Sequence, residues 1–220
     1  MRHTLVATTL LLVIAAPLGA QTRQPAPPVD ERPSVSFRPF FLIAGQHASA
    51  ATTFNAVFDS AFEPFWGAGV ELAFRPGLFV DVTGSRFERD GQRAFINQGQ
   101  VFKLNIPMTA TITPIEVAAG YRFDTPHPRT IVPYVGGGIG WYGYKETSSF
   151  AAAGEDVDTR HEGFQVFGGA DMRVHRWVSI AVDVAYTHVP GILGEGGLSQ
   201  QAGENDLGGV AGRVRVMIGR

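Results

Sequence analysis

The feature that most restricts this sequence is a two-residue alternation that recurs along most of its length. Residues 177–188 read WVSIAVDVAYTH: Val178, Ile180, Val182, Val184 and Tyr186 share one parity, and Trp177, Ser179, Ala181, Asp183, Ala185 and Thr187 the other. Successive side chains of a strand point to opposite faces, so this stretch is a strand with one apolar face and one small or charged face. Near the C-terminus Val210, Val214, Val216 and Ile218 oppose Ala211, Arg213 and Arg215 in the same way. Phe164, Val166, Ala170, Met172 and Val174 oppose Gln165, Gly169, Asp171 and Arg173. Ile115, Val117, Ala119, Tyr121 and Phe123 oppose Glu116, Ala118, Gly120 and Arg122. Trp66, Ala68, Val70, Leu72 and Phe74 oppose Gly67, Gly69, Glu71 and Ala73, and Leu78, Val80 and Val82 oppose Asp81, Thr83 and Ser85. Two more strands are expected over 35–46, where Phe occurs on both parities, and over 131–144. The second of these puts Val135, Ile139 and Trp141 on one side and Tyr134, Gly136, Gly138 and Gly140 on the other. A slip of phase near Thr113–Pro114 predicts a bulge.

The connections between these eight strands alternate in length. Arg75–Pro76–Gly77, the stretch 124–129 and His175–Arg176 are tight turns, whereas 47–64, 89–108, 145–163 and 189–206 each run 18 to 20 residues. Long structureless loops are uncommon in compact soluble domains. Strict alternation places all of these at one end of the sheet, the layout of a barrel with short turns on one side of a membrane and long loops on the other. Aromatic residues fall at strand ends. Phe74, Tyr121, Phe123 and Trp177 lie beside the short turns, and Trp66, Trp141, Tyr142, Tyr144 and Tyr186 beside the long loops. These are expected to form two interfacial girdles.

The N-terminus reads as an address. Met1–Arg2–His3 is a short basic start, and the mostly apolar run from Thr4 to Ala16 is too short for a spanning helix, which needs roughly 20 residues. Small residues then lead to a cleavage site after Ala20, so 1–20 is a secretory signal peptide. Residues 21–34, with Pro25, Pro27, Pro28 and Pro33, form a Pro-rich periplasmic linker that cannot join a sheet. The barrel domain is residues 35–220.

Composition removes several classes. With no cysteine there is no disulfide scaffold, no thiolate metal site and no lipoprotein anchor. A net charge of −2 argues against a nucleic-acid partner. Glycine, at 27 residues, is abundant without a repeat, which suits a tightly curved all-β chain.

The segments TPIEVAAGYRF (113–123), PYVGGGIGWYGY (133–144), GFQVFGGADMRV (163–174), WVSIAVDVAYTH (177–188) and GVAGRVRVMIG (209–219) resemble the small eight-stranded outer-membrane proteins of the OmpA/OmpX type. The resemblance covers residues 35–219. It implies an all-β, eight-stranded antiparallel up-and-down transmembrane β-barrel in the cell outer membrane. Its partners would be outer-membrane lipid, lipopolysaccharide and the barrel-assembly machinery, with an extracellular partner of the long loops unknown. Such barrels usually end in an aromatic residue, whereas this chain ends in Arg220.

An eight-stranded barrel has an interior just wide enough for side chains to fill. Glu71, Asp81, Glu116, Asp171 and Asp183 share the polar faces with Arg122, Arg173, Arg213 and Arg215. Opposite charges in so narrow a tube are expected to pair into a structural plug rather than line a pore.

Other chemistries find little support. Gly138–Ile–Gly140–Trp–Tyr–Gly143 matches G-x-G-x-x-G, but a loop, not a helix, follows it. The six histidines show no H-x-x-x-H spacing, and Glu155, Asp156 and Asp158 lack the EF-hand pattern, so neither metal nor cofactor is expected. Some eight-stranded barrels modify lipid A with a Ser–His pair. Here His188 has no serine within two residues, and Thr187 faces the opposite way. The expected function is a non-enzymatic outer-membrane barrel for envelope integrity or surface contact. The alternative is an exported soluble, lipocalin-like barrel that binds a small apolar ligand, which requires the aliphatic faces inside.

Overall fold

The computed structural model describes residues 35–97, 100–123, 131–148, 157–193 and 197–219. The expected signal peptide, the linker, the turn 124–129, Glu155, Asp156 and Arg220 lie outside the described residues. Eight strands run in order: β1 Val35–Ala48, β2 Phe62–Phe74, β3 Leu78–Asn97, β4 Gln100–Arg122, β5 Ile131–Thr147, β6 Val157–His175, β7 Val178–His188 and β8 Gly209–Ile218. Each pairs antiparallel with the next, and β8 returns to β1 from Phe40↔Met217 to Ala48↔Gly209, closing an up-and-down barrel. Closure leaves no unpaired sheet edge. Two helices, α1 Ala51–Phe58 and α2 Gly197–Ala202, lie in the connections that follow β1 and β7.

Alternation fixes which face is which. Asp183 and Ala185 are buried, while Val182 and Val184 are exposed; in β4 the even residues from Met108 to Ala118 are buried.

Two expectations about the strands are corrected. The register of β4 passes unbroken through Thr113 and Pro114, with Ile112 paired to Phe87 and Ile115 to Gly84. The apparent slip arises because Ile112 is an apolar residue that faces inward, into an apolar cluster. The irregularity in this ladder lies instead between Gln92 and Ala94. The stretch 89–108 is no structureless loop either. It continues β3 and β4 as a long hairpin paired out to Asn97↔Gln100. Phe95 and Phe102 face each other directly, with ring centroids 5.3 Å apart, the kind of cross-strand aromatic pair that stabilises a ladder.

Candidate functional site

The lumen is filled by charge near the short turns and in the middle of the barrel. Asp183 is buried on β7, where Arg213 Nε donates to its Oδ1 at 2.5 Å and Tyr134 Oη to its Oδ2 at 2.6 Å. Arg215 NH2 lies 3.3 Å from the same carboxylate, and its NH1 donates to Asp81 at 3.1 Å. Arg213 also donates to Gln165 at 2.8 Å. Nearer the short turns, Arg122 donates to Glu71 at 2.5 Å and to Asp171 at 3.2 Å. Arg38 completes this group, with NH2 donating to Asp171 at 2.7 Å and NH1 lying 3.4 Å from Glu71. Burial of such charges is tolerable only because each finds a partner and hydrogen bonds.

The sequence-expected residues are therefore gathered, with one exception. Glu71, Asp81, Arg122, Asp171, Asp183, Arg213 and Arg215 share the network, and Glu116 accepts a hydrogen bond from Tyr142 Oη at 2.6 Å. Arg173 stands apart. It is exposed at the short-turn end, just before the irregularity at Arg173/His175, and takes part in none of these pairs. Sequence reasoning missed Arg38, whose parity matches the inward Phe40 and Leu42 but was obscured by phenylalanines on both parities. It also missed Glu63, buried in what reads as a loop, which accepts a hydrogen bond from Gln46 at 2.9 Å.

Aromatic rings support the guanidinium groups. Arg122 lies 4.4 Å from the Phe79 ring centre, Arg213 4.7 Å from that of Phe167 and Arg215 5.5 Å from that of Phe40. These distances fall within cation–π range.

Towards the long loops the lumen turns apolar. Phe54, Val57 and Phe58 of α1 pack with Phe65, Phe87 and Ile112 of the wall and with Ile192, Leu193, Leu198 and Leu207 from the connection between β7 and β8. This lid is tied by two carboxylates. The N-terminus of α1 has no side-chain cap of its own. Glu204 supplies one from the far connection, accepting from the Thr52 and Thr53 amides at 2.8 Å each and from the Thr53 hydroxyl at 2.7 Å. Asp206 accepts from the Val189 and Gly208 amides at 2.7 and 2.9 Å, and its Oδ2 lies 2.9 Å from His188 Nδ1. In both carboxylates partial burial pushes the pKa up, but the hydrogen bonds outweigh it and hold the groups below their ordinary values. A cavity of about 40 Å³ separates lid from charge network, lined by Leu42, Phe65, Ile112, Glu116, Tyr142 and Arg213 among others.

Outside, the polarity is reversed. Phe41, Ile43, Val82, Val135, Ile139, Val166, Val184, Val214 and Val216 face outward and are exposed. An apolar band of this kind around a polar interior is the surface of a barrel that meets lipid. Over residues 8–208 the sequence matches the family described as outer membrane protein beta-barrel domain. The chain belongs to that family.

The outer membrane protein β-barrel family places the chain in the outer membrane. The soluble lipocalin-like alternative is set aside, since it needs the aliphatic faces inside and here they are outside. Among solved structures the chain is similar to Neisserial surface protein A, with 13% identity over 85% of this chain and 95% of that one and a TM-score of 0.46. It is also similar to the N-terminal β-barrel domain of OprF from Pseudomonas aeruginosa (10% identity, 83% and 97% covered, TM-score 0.46). A third is Ail of Yersinia pestis in complex with the heparin analogue sucrose octasulfate (11%, 84% and 96%, TM-score 0.44). None of the curated proteins matches the sequence.

In this outer-membrane barrel the aromatic residues divide by parity. Phe74, Tyr121, Phe123 and Trp177 are exposed at the short-turn end, and Trp66, Trp141 and Tyr186 nearer the long loops. Tyr142 and Tyr144 do not belong with them. Both are buried, because Trp141 faces outward and its neighbour must face the lumen.

Proposed function

We propose that this protein is a non-enzymatic outer-membrane barrel whose lumen is plugged, with its three longer connections and the extended β3–β4 hairpin on the extracellular side, serving envelope integrity or surface contact. The observation that carries this reading is the succession along the lumen of paired charges, a cavity of only about 40 Å³ and an apolar lid. A conducting path needs continuous polar, hydrated space, which this succession interrupts twice. The charges are committed to one another, so the network braces the wall from within. The turns of Arg75–Gly77 and His175–Trp177 then face the periplasm.

Planar-bilayer recording of the purified full chain tests the plug. Silence or rare irregular events are expected, and stable, reproducible conductance steps would overturn it. His188 spends its Nδ1 on Asp206, at the edge of the lid, which supports a role in loop closure rather than in acyl chemistry. Mass spectrometry of lipid A from cells with and without the protein is expected to show identical acyl chains. A consistent difference would make the barrel an enzyme.

A further inference from the structure

We propose that the lid is a proton-linked closure: it seats on the barrel only while the Glu63 carboxyl beneath it carries a proton. Glu63 stands at the loop end of β2, three residues beyond Trp66 of the outer girdle and outside the lipid-spanning part of the strand. Flanked by Ala61 and Phe65 of the apolar cluster under the lid, it is fully buried. Gln46, its ladder partner on β1, donates through Nε2 to Oε2 at 2.9 Å. The other oxygen, Oε1, is buried and has no hydrogen-bond partner among the described residues. The same Nε2 lies 3.4 Å from the carbonyl of Leu207, which belongs to the lid. One amide group therefore joins the buried acid to the underside of the lid.

The groups that face Glu63 do not supply a charge partner. From β5 comes the phenol of Tyr144, with Glu146 behind it, 3.4 Å from the phenol oxygen. The helix α1 carries no ionisable side chain. In the far connection Glu204 is spent on Thr52 and Thr53, and Asp206 on Val189, Gly208 and His188. Arg89 of β3 gives its NH1 to the Phe62 carbonyl. An ionised Glu63 would thus sit dry, with one donor for two oxygens, and a carboxyl so placed keeps its proton. Burial pushes it up to about 8, against the single hydrogen bond from Gln46. Once the lid lifts, water reaches the carboxyl, its O–H bond breaks, the proton passes to solvent, and the ordinary value of about 4.3 returns. A carboxyl raised in the closed form supports closure fully below the open-state value. That support drains away as pH climbs towards about 8, by at most about tenfold per pH unit in the closing equilibrium. The tie from Glu204 to α1 does not titrate in this range, so α1 and the far connection lift together. The charge network below stays in place, and the inference does not rest on the plug.

The chain has no cysteine, so one introduced thiol reports on the lid. Ala44→Cys places it beneath the lid, at a buried position that lines the cavity. The full chain, folded in detergent, is treated with a charged methanethiosulfonate between about pH 5 and pH 8, with Glu63 intact and in a Glu63→Gln background. Glutamine still accepts from Gln46 and cannot ionise. The ratio of the two rates, Glu63 over Gln, cancels the titration of the thiol itself, and it is expected to rise at least roughly tenfold over this range. A constant ratio overturns the proposal. A second measurement needs no cysteine. The carbon-13 resonance of the Glu63 carboxyl, identified by its loss in Glu63→Gln, should titrate well above about 4.3. A midpoint at that ordinary value overturns the proposal, even where Ala44→Cys fails to fold. The heat-shifted gel band should persist at every pH in both backgrounds. Its loss at high pH only where Glu63 is present would mean that the barrel itself opens, and overturns a movement of the lid alone.

Discussion

Phe79 faces Gly120 directly across the β3–β4 ladder, and its ring occupies the space that a Cβ on residue 120 would take. Arg122 then lies 4.4 Å from the centre of the same ring. The arrangement recurs twice. Phe40 pairs with Gly69 and supports Arg215, and Phe167 pairs with Gly136 and supports Arg213. Three inward glycines therefore seat three phenyl rings, and each ring carries a guanidinium of the charge network.

A side chain at residue 120 is expected to unseat this stack. In Gly120→Val the new methyl groups collide with the Phe79 ring and the Val135 carbonyl, and the overpacking should cost about 1–3 kcal/mol. Gly212→Ala is the control, because nothing lies within 4 Å of its Cβ position. Urea unfolding in lipid vesicles should show a lower midpoint for the first and little change for the second. Equal midpoints would mean that the ring is free to move aside.

Asp183 holds the network together, since it meets Arg213, Arg215 and Tyr134 at once. Asp183→Ala leaves two guanidinium groups short of a partner inside the lumen. Breaking a buried ion pair from one side costs about 3–5 kcal/mol. The folded, heat-shifted gel band should weaken and the urea midpoint fall. A double change, Asp183→Ala with Arg213→Ala, is expected to lose less than the sum of the two single changes. Additive losses would show that the pair acts independently.

Acid should loosen the lid. Glu204 and Asp206 are held below their ordinary pKa in the folded protein. A carboxylate depressed on folding contributes stability above its unfolded value, near 4, and loses that contribution as pH falls through the lower folded value. The tie between α1 and the far connection is thus intact at neutral pH and should weaken only below about pH 4. Hydrogen exchange at Thr52 and Thr53 reports it. Glu204→Ala should speed that exchange about fivefold at neutral pH, the usual worth of a helix cap. Unchanged exchange would show that apolar packing alone secures α1.

The strands and their order were legible because lipid outside and a narrow lumen inside impose strict alternation on every strand. Glu71, Asp81, Glu116, Arg122, Asp171, Asp183, Arg213 and Arg215 could be placed inside by parity alone. Three features escaped. Ile112 and Tyr142 face an interior that changes from charged to apolar along its length, so apolar inward residues imitate lipid-facing ones, and Glu63 lies in a stretch that reads as a loop. Arg173 has inward parity but lies beyond the last buried layer, where parity no longer implies burial. The lid depends on contacts between connections more than a hundred residues apart in sequence, such as Thr53 with Glu204, which no local pattern encodes.

The outward band gives the sharpest discrimination between a barrel in lipid and one in water. Val184 is 60% exposed, and its ladder partners Gly168 and Gly212 offer it no shelter. In water, Val184→Arg would be an ordinary surface change, within about 0.5 kcal/mol of neutral. In a bilayer, arginine on the lipid face costs about 2–4 kcal/mol near the midplane and little near the interfaces. Val184 lies level with the centre of the charge network, two residues from Tyr186 of one girdle and seven from Trp177 of the other, so a cost at the lower end of that range, about 2 kcal/mol, applies. The same substitution at Trp66, beside the long loops, should cost far less for its charge. Unfolding of the two variants in vesicles is expected to differ by about 2 kcal/mol, with Val184→Arg the weaker and depleted from the outer-membrane fraction. Equal stabilities would mean that position 184 meets water.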